Sequence, residues 1–450
     1  ETMTDLSKGD LTKGPITGTM LRFAWPLMLG NLLQQCYNIA DTLIVGRVLG
    51  AGALAAVGSS YTLMVFITSI FIGLCMGCSA VFSMQYGARD LKELRSSLFS
   101  SILIIGSVTL VLNVLSIIFL SPIIHLLQTP DEITGLTYDY LFIIFLGIIP
   151  VCLYNFYAFL LRAIGNSFVP LLFLMVSVIL NIGLNLLFIL VARMGVEGAA
   201  LATVIAQSAA AAGIVVYTYR LFPELRLTRK DCAIRPHAIK RISSYAFLTG
   251  IQQSVMNFGI LMVQGLVNSF GTSVMAAFAA AVKIDSFAYM PVQDFGNSFS
   301  TFVAQNYGAG RIERIRRGIR SAILVTTLFA FAVSAMVFWC SPWLMSLFVS
   351  PDETAIIDIG VEYLRIEGSF YVGIGYLFLL YGFYRAVCLP SMSVVLTVVS
   401  LGTRVVLAYI LAAIPSVGYT GIWWSVPVGW ALADIVGVWY GYRKRSLSAP

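Results

Sequence analysis

A chain of 450 residues that is 59% hydrophobic and only 11% charged lies far outside the soluble range, where charged residues run at about 25%. Its formal charge of +7 raises nucleic acid as a partner, but the cations are spread by side rather than gathered in a patch. That pattern speaks for orientation in a membrane. Seven cysteines, mostly within apolar stretches and including Cys75-x-x-Cys78, and two histidines, His125 and His237, read as packing residues rather than a zinc centre or a redox motif.

The opening ETMTDLSKGDLTKG is hydrophilic, so no cleavable signal peptide is expected there. Beyond it, apolar runs predict helices at about 15–48, 53–86, 91–120, 133–164, 168–192 and 196–220, then 239–269, 273–308, 311–340, 354–387, 391–413 and 418–442. The expected fold is an all-α integral membrane protein of twelve spans, several longer than the roughly 20 residues that cross hydrocarbon. Pro26, Pro150 and Pro291 lie well inside helices, and each is expected to kink its span. With that topology 23 of the 28 Lys and Arg lie on one side, Arg47 and Arg193 on the other, and Lys283, Arg365 and Arg404 within spans. Both termini are therefore expected in the cytoplasm of a cell (inner) membrane protein.

The first span carries Asn31, Gln34, Asn38 and Asp41, spaced to share one helix face. A carboxylate deep in hydrocarbon costs several kcal/mol or more, and chains keep one there mostly to bind an ion, relay a proton or line a wet cavity. Asp41 is the expected functional centre. Pairing with a neighbouring helix to fix packing is the alternative.

The polar segment at 221–238 divides the chain nearly in half, and the second half repeats the first. Tyr86-Gly87-Ala88 returns as Tyr307-Gly308-Ala309, Ser121-Pro122 as Ser341-Pro342, and Pro130-Asp131-Glu132 as Pro351-Asp352-Glu353, shifted by 220 to 221. Arg162-Ala163 returns as Arg385-Ala386 and Gly195-x-x-Gly198 as Gly418-x-x-Gly421, shifted by 223. An even number of spans per copy gives both the same orientation. The expectation is an N-lobe at 15–220 and a C-lobe at 239–445, related by a pseudo-twofold axis along the membrane normal, with a cavity between them that rocking opens to either face. No H-E-x-x-H, G-x-S-x-G or P-loop lysine motif is present, so neither an enzyme nor ATP drive is expected.

Tyr37-Asn38-x-x-Asp41-Thr42 with Val45-Gly46, the two Tyr-Gly-Ala turns with Gln305-Asn306 before the second, Leu161-Arg162-Ala163-Ile164-Gly165-Asn166 with Pro170, and Gly195-x-x-Gly198-Ala199-Ala200-x-Ala202-Thr203 together resemble the bacterial multidrug and toxic compound extrusion (MATE) transporters. The likeness runs from about Pro15 to Arg445. Gly87-Ala88-Arg89-Asp90 is faintly similar to the signature loop of the major facilitator superfamily, the first rival; a lipid-linked precursor flippase is the second, and a membrane receptor or scaffold a third.

The resemblance implies an antiporter that exports cationic or amphipathic organic compounds against H+ or Na+, with no cofactor besides that ion. The lipid bilayer and small organic cations are its partners, and a monomer is expected. It also implies an ion site at Asp41, Asn181, Asn185 and Thr203, which could hold Na+. Asn181 and Asn185 do share a helix face, and carboxylate, amide and hydroxyl oxygens suit a hard cation; helix-to-helix hydrogen bonding is their other reading. Some members carry Asp where Asn185 stands, so a second titrating acid is missing from this lobe. Gln34, Tyr37, Asn38, Gln253 and Asn257 are candidates for the substrate cavity. Met262 stands at Asp41 plus 221, so the lobes are not equivalent. At similar depth in the C-lobe lie Lys283, Asp285, Arg365, Glu367 and Arg404, expected as a charge network that either neutralises itself or meets substrate.

Overall fold

Hydrophobic runs this long fold as helices in a bilayer because each backbone polar group must be satisfied within its own segment. A computed structural model describes residues 9–444 apart from the side chains of Thr62 and Ile260; Lys8 and Arg445 lie outside the described residues. Among them, fifteen α-helices and no strands occur. In chain order the first repeat holds α1 (Ile16–Leu49), α2 (Ala51–Gly87), α3 (Leu91–Ile118), α4 (Leu120–Leu126), α5 (Thr134–Leu146), α6 (Ile148–Ala163), α7 (Phe168–Leu186) and α8 (Val196–Leu221). The second holds α9 (Pro236–Asn268), α10 (Thr272–Gly308), α11 (Ile312–Ser346), α12 (Thr354–Gly368), α13 (Tyr371–Ala386), α14 (Pro390–Ala412) and α15 (Thr420–Lys444).

Nine of the described helices are long and apolar enough to cross a membrane, eleven counting each bent pair as one span. The remaining span is α1, whose 34 residues are long enough but carry a polar stripe that dilutes their hydropathy. The protein is thus an all-α integral membrane protein of twelve spans, six in each repeat. Two spans are broken in the middle, α5 against α6 by 46° and α12 against α13 by 51°, the same place in each repeat. The breaks fall at Gly147 and at Ser369-Phe370. The first is the kink expected from Pro150, whose ring crowds the carbonyl four residues back, that of Leu146 at the end of α5; no proline stands at the second. Helices α1 and α10 run through Pro26 and Pro291 without interruption, and Pro150 lies in the first turn of α6, where a missing N–H removes no helix bond. At the end of α7 the chain widens into a π turn over Leu187–Val191 instead of continuing as regular helix to 192.

The repeat is visible in the turns. Gly50 (φ 90°) and Gly271 (φ 105°) sit between the first two helices of each copy, a backbone region open mainly to glycine. Each Tyr-Gly-Ala turn closes with the same bonds, Arg89 N to Tyr86 O at 3.1 Å and Gly310 N to Tyr307 O at 3.1 Å. Asp90 then caps α3 by accepting from Glu93 N at 3.1 Å, which satisfies one of the helix's free donors.

The described chain forms two compact units. One holds the chain up to Asp10 and Trp25–Gly250; the other holds Leu11–Ala24 and everything from Ile251 on. In the first unit Asp10 pairs with Arg89. The linker docks there too: Arg95 reaches Asp231 at 3.3 Å and Glu224 O at 3.1 Å, and Asp231 accepts from the amide and hydroxyl of Thr228 at 2.9 and 2.8 Å. Helices α2 and α9 touch backbone to backbone in this unit, because Gly73 and Gly77, four apart, bare the α2 surface. A Cβ at Gly77 would stand 2.2 Å from Tyr245 O. In the second unit Gln305 accepts from Leu11 N at 3.0 Å, Asn306 donates to Leu11 O at 3.3 Å, and Arg311 donates to Thr12 O at 2.8 Å. The motif Gln305-Asn306 therefore binds the backbone of the N-terminal segment.

Gly77→Ala is expected to destabilise the protein by about 1–3 kcal/mol, the usual cost of overpacking, read as an earlier thermal unfolding in detergent; unfolding at the wild-type temperature would show that α2 and α9 do not meet there. A second expectation concerns the linker. Burial pushes the Asp231 carboxyl up, but Thr228 and Arg95 pull it down further, so it sits below its ordinary value. Such a group stabilises above its unfolded pKa, about 3.9, and the contribution is lost as pH falls through the lower folded value. Exchange of the Thr228 amide, relative to its intrinsic rate, should stay slow at neutral pH and speed up through that acidic window. Asp231→Asn should speed it at neutral pH.

Candidate functional site

Three helices of the first unit converge on Asp41. Tyr37 and Asp41 lie one turn apart on α1, Asn181 and Asn185 one turn apart on α7, and Thr203 on α8. Helix α8 can come close because its packed face is Ala199, Ala200, Ala202, Ala206 and Ala210, all buried, and small residues let spans approach in lipid.

The bonds run in one direction. Thr203 donates its hydroxyl to Ala199 O at 3.1 Å, Tyr37 donates to Thr203 Oγ1 at 3.1 Å, and Asn181 Nδ2 donates to the Tyr37 oxygen at 2.6 Å. Asn185 Nδ2 donates to Asn181 Oδ1 at 2.9 Å and to the Asp41 carboxylate. Asn185 is 0% and Asp41 8% exposed. Every donor is committed, while Asn185 Oδ1 is buried with no partner. Among the described residues, no lysine or arginine pairs with Asp41. The cluster thus holds one negative charge and a surplus of oxygen acceptors, which is what a bound cation or proton requires. No group of three His, Cys, Asp or Glu that could hold a metal ion occurs among the described residues.

Tyr37, expected along the substrate cavity, is instead buried in this cluster. Tyr140 on α5 was not foreseen; it is 3% exposed and within electrostatic reach of Asp41 and Tyr37. Of the other expected cavity residues, Asn38 reaches the Tyr61 hydroxyl at 3.5 Å and Gln34 is half-buried. In the second unit Gln253 bonds Gln252 at 3.3 Å and Asn257 is exposed.

The expected five-membered charge network is smaller in the second unit. Asp285 on α10, Glu367 on α12 and Arg404 on α14 come together. Lys283 and Arg365 do not join them: both are exposed, and Arg365 donates to Phe338 O at 3.3 Å with its guanidinium over the Phe338 ring at 5.2 Å. Position along a helix does not set the direction in which a side chain leaves it.

Twelve spans in two internal repeats, with an intramembrane carboxylate held by amides, define the class of a polytopic membrane transporter. The MatE family profile matches residues 26–187 and 246–410. YpnP of Bacillus subtilis, a probable multidrug resistance protein, is 30% identical over 397 residues, covering 87% of each chain. The multidrug export protein MepA of Staphylococcus aureus is 25% identical over 440 residues, 96% of this chain and 95% of MepA. An outward-facing structure of a multidrug resistance MATE family transporter of the MOP superfamily agrees in fold with a TM-score of 0.91 at 22% identity, covering 98% of this chain and 99% of that one. The chain belongs to the MatE family, the MATE transporters. The major facilitator alternative falls with that match.

Asn185 is the donor on which the Asp41 carboxylate rests. Asn185→Ala should therefore cost about 1.5–3 kcal/mol, the range for a hydrogen bond to a charged group, measured as a lowered unfolding midpoint in detergent. The same substitution in an Asp41→Asn background should cost clearly less, since the charge is already gone; equal losses would show that the two side chains do not act on each other.

Proposed function

We propose that the protein exports cationic or amphipathic organic compounds in exchange for a monovalent ion, H+ or Na+, held at Asp41, Asn181, Asn185 and Thr203. The observation that carries this reading is the Asp41 carboxylate, buried in a span, bonded to a neutral amide and flanked by the unpartnered Asn185 Oδ1. Asp41 supplies the charge; the amide oxygens and the Thr203 and Tyr37 hydroxyls supply dipoles. The relatives named as multidrug resistance and export proteins support organic compounds as the substrate class.

The coupling arises from charge. An empty carboxylate disfavours any state that seals the site from water, because its burial costs several kcal/mol. Ion binding removes that cost, so the loaded site closes readily and the unloaded one stays wet. Substrate and ion then drive the repeats in opposite directions. The concentration of cations near the polar linker supports cytoplasmic termini. The linker at 221–238 separates the two sequence repeats, while the compact units divide a little later, after Gly250.

The test is flux of a fluorescent organic cation from proteoliposomes, with Na+ and pH gradients imposed separately. One of the two gradients should drive export in the wild type. Asp41→Asn should reduce gradient-driven flux by roughly 5- to 150-fold, the span of coupling free energies of about 1–3 kcal/mol, while the protein remains folded. Undiminished flux in folded Asp41→Asn protein ends the proposal.

A further inference from the structure

The first turns of α11 gather positive charge in a way its counterpart in the first repeat does not. Residues 311–320 hold five arginines and one acid, Glu313. A shift of 221 carries this stretch onto the start of α3, where Asp90 and Glu93 balance Lys92 and Arg95, and where Ser96 and Phe99 take the places of Arg317 and Arg320. The bias of cations toward one side of a membrane accounts for the side on which they stand, but not for their gathering in one repeat. The gathering is also unfavourable for the helix itself, since cations in its first turns oppose its dipole and repel one another.

These arginines line a cleft of about 590 Å³ bounded by Ile16 at the start of α1, by the turn at Gly310, and by Arg311, Glu313, Arg314 and Arg317. The start of α1 runs beside α11 here, with the Thr17 and Ser321 hydroxyls bonded to each other. Arg314 donates to the carbonyls of Leu11 at 3.1 Å, Lys13 at 3.0 Å and Gly14 at 2.8 Å, and its guanidinium lies over the Phe302 ring at 5.3 Å. Arg311 is held by Thr12 O. Carbonyls fix these two guanidiniums in place without cancelling their charge. Glu313 offers one carboxylate to both Arg316 and Arg317, each at 3.7 Å, and exposed pairs of that kind contribute little. The cleft therefore keeps a fixed positive charge.

Further along the same helix face the surface turns apolar. Arg317, Arg320, Leu324, Leu328 and Phe331 are three or four residues apart, so they form one stripe along α11. The two arginines are exposed, and so are the three apolar residues, Leu324 at 59%, Leu328 at 63% and Phe331 at 60%. One stripe thus begins with guanidiniums and continues as bare hydrocarbon into the span. An anionic phospholipid matches both halves: its phosphate meets the guanidiniums and its acyl chains lie along the leucines and the phenylalanine. A soluble polyanion or an acidic peptide matches only the first half.

We propose that the cleft between the start of α1 and the first turns of α11 binds one anionic phospholipid, from the leaflet on the side where the linker lies, with Arg317 and Arg320 holding its phosphate. The test is native mass spectrometry of the intact protein in detergent, with phosphatidylglycerol and phosphatidylcholine titrated in separate arms. One phosphatidylglycerol should be retained in preference to phosphatidylcholine. Arg317→Gln combined with Arg320→Gln should weaken its binding by about 10- to 30-fold, the effect of removing two interfacial cations. Arg229→Gln combined with Lys230→Gln removes the same charge from the linker and should leave the binding in place. Thermal unfolding in detergent checks that both variants are folded. Inorganic phosphate in excess should not displace the lipid from the wild type, since it has no acyl chains to lay along the stripe. Equal retention of the two lipids, equal losses in the two variants, or displacement by phosphate overturns the proposal. None of these outcomes bears on flux driven through Asp41, so the two readings fail separately.

Discussion

A carboxylate within hydrocarbon has to be compensated, and in the first unit the fixed groups around Asp41 are all neutral. Two amides and two hydroxyls can orient dipoles toward the charge, but together they leave it in place. Much else about the unit is a consequence. The first span must carry enough polar residues to be a poor membrane helix by composition, so it depends on its neighbours for burial. Its neighbour α8 is an alanine face because only small residues admit α1 and α7 closely enough for hydroxyl and amide to meet. The tyrosines at 37 and 140 are buried whole, closing the site with aromatic surface while offering a hydroxyl at its edge.

The same economy of partners holds on the side where the polar segments gather. Asp10 satisfies Arg89 in one unit, and the carbonyls of Leu11 to Gly14 satisfy Arg311 and Arg314 in the other. Two turns with one backbone design thus receive the N-terminal segment by different chemistry, an ion pair in the first and peptide carbonyls in the second. The difference comes down to one residue. Arg89 occupies the left-handed position of its turn (φ 60°), where the second copy has Gly310 (φ 72°), so the first turn carries its own guanidinium and the second borrows from the next helix.

Most of the helix pattern could be read from the sequence, because hydropathy over twenty or more residues averages out local exceptions. The duplicated turns were legible for a similar reason, since a motif that recurs at a constant shift does not depend on propensity. The break at Gly147 was legible through Pro150. That at Ser369-Phe370 was not, since no proline marks it and a flexing point set by packing between spans leaves no local signature. Asp41, Asn181 and Asn185 were brought together by the family resemblance, helix face adding only that the two asparagines share a side of their span. Tyr37, one turn from the acid, was equally consistent with the cavity and with the cluster where it is buried. Lys283 and Arg365 show the same gap in another form. Position along a helix fixes depth, but azimuth is settled only by the neighbours. Tyr140 carried a signal that went unused, the shift of 223 that pairs it with Tyr363.

That pairing bears on how duplicated membrane proteins divide their work. Both repeats build a buried polar cluster between the fourth, fifth and sixth of their spans, but the first places an amide, Asn181, where the second places a guanidinium, Arg404. An amide adds no charge of its own beside its neighbours, whereas a guanidinium brings a tethered positive charge to the corresponding place. A duplicated scaffold thus keeps the same helix position in both repeats while setting it with a neutral side chain in the first and a charged one in the second.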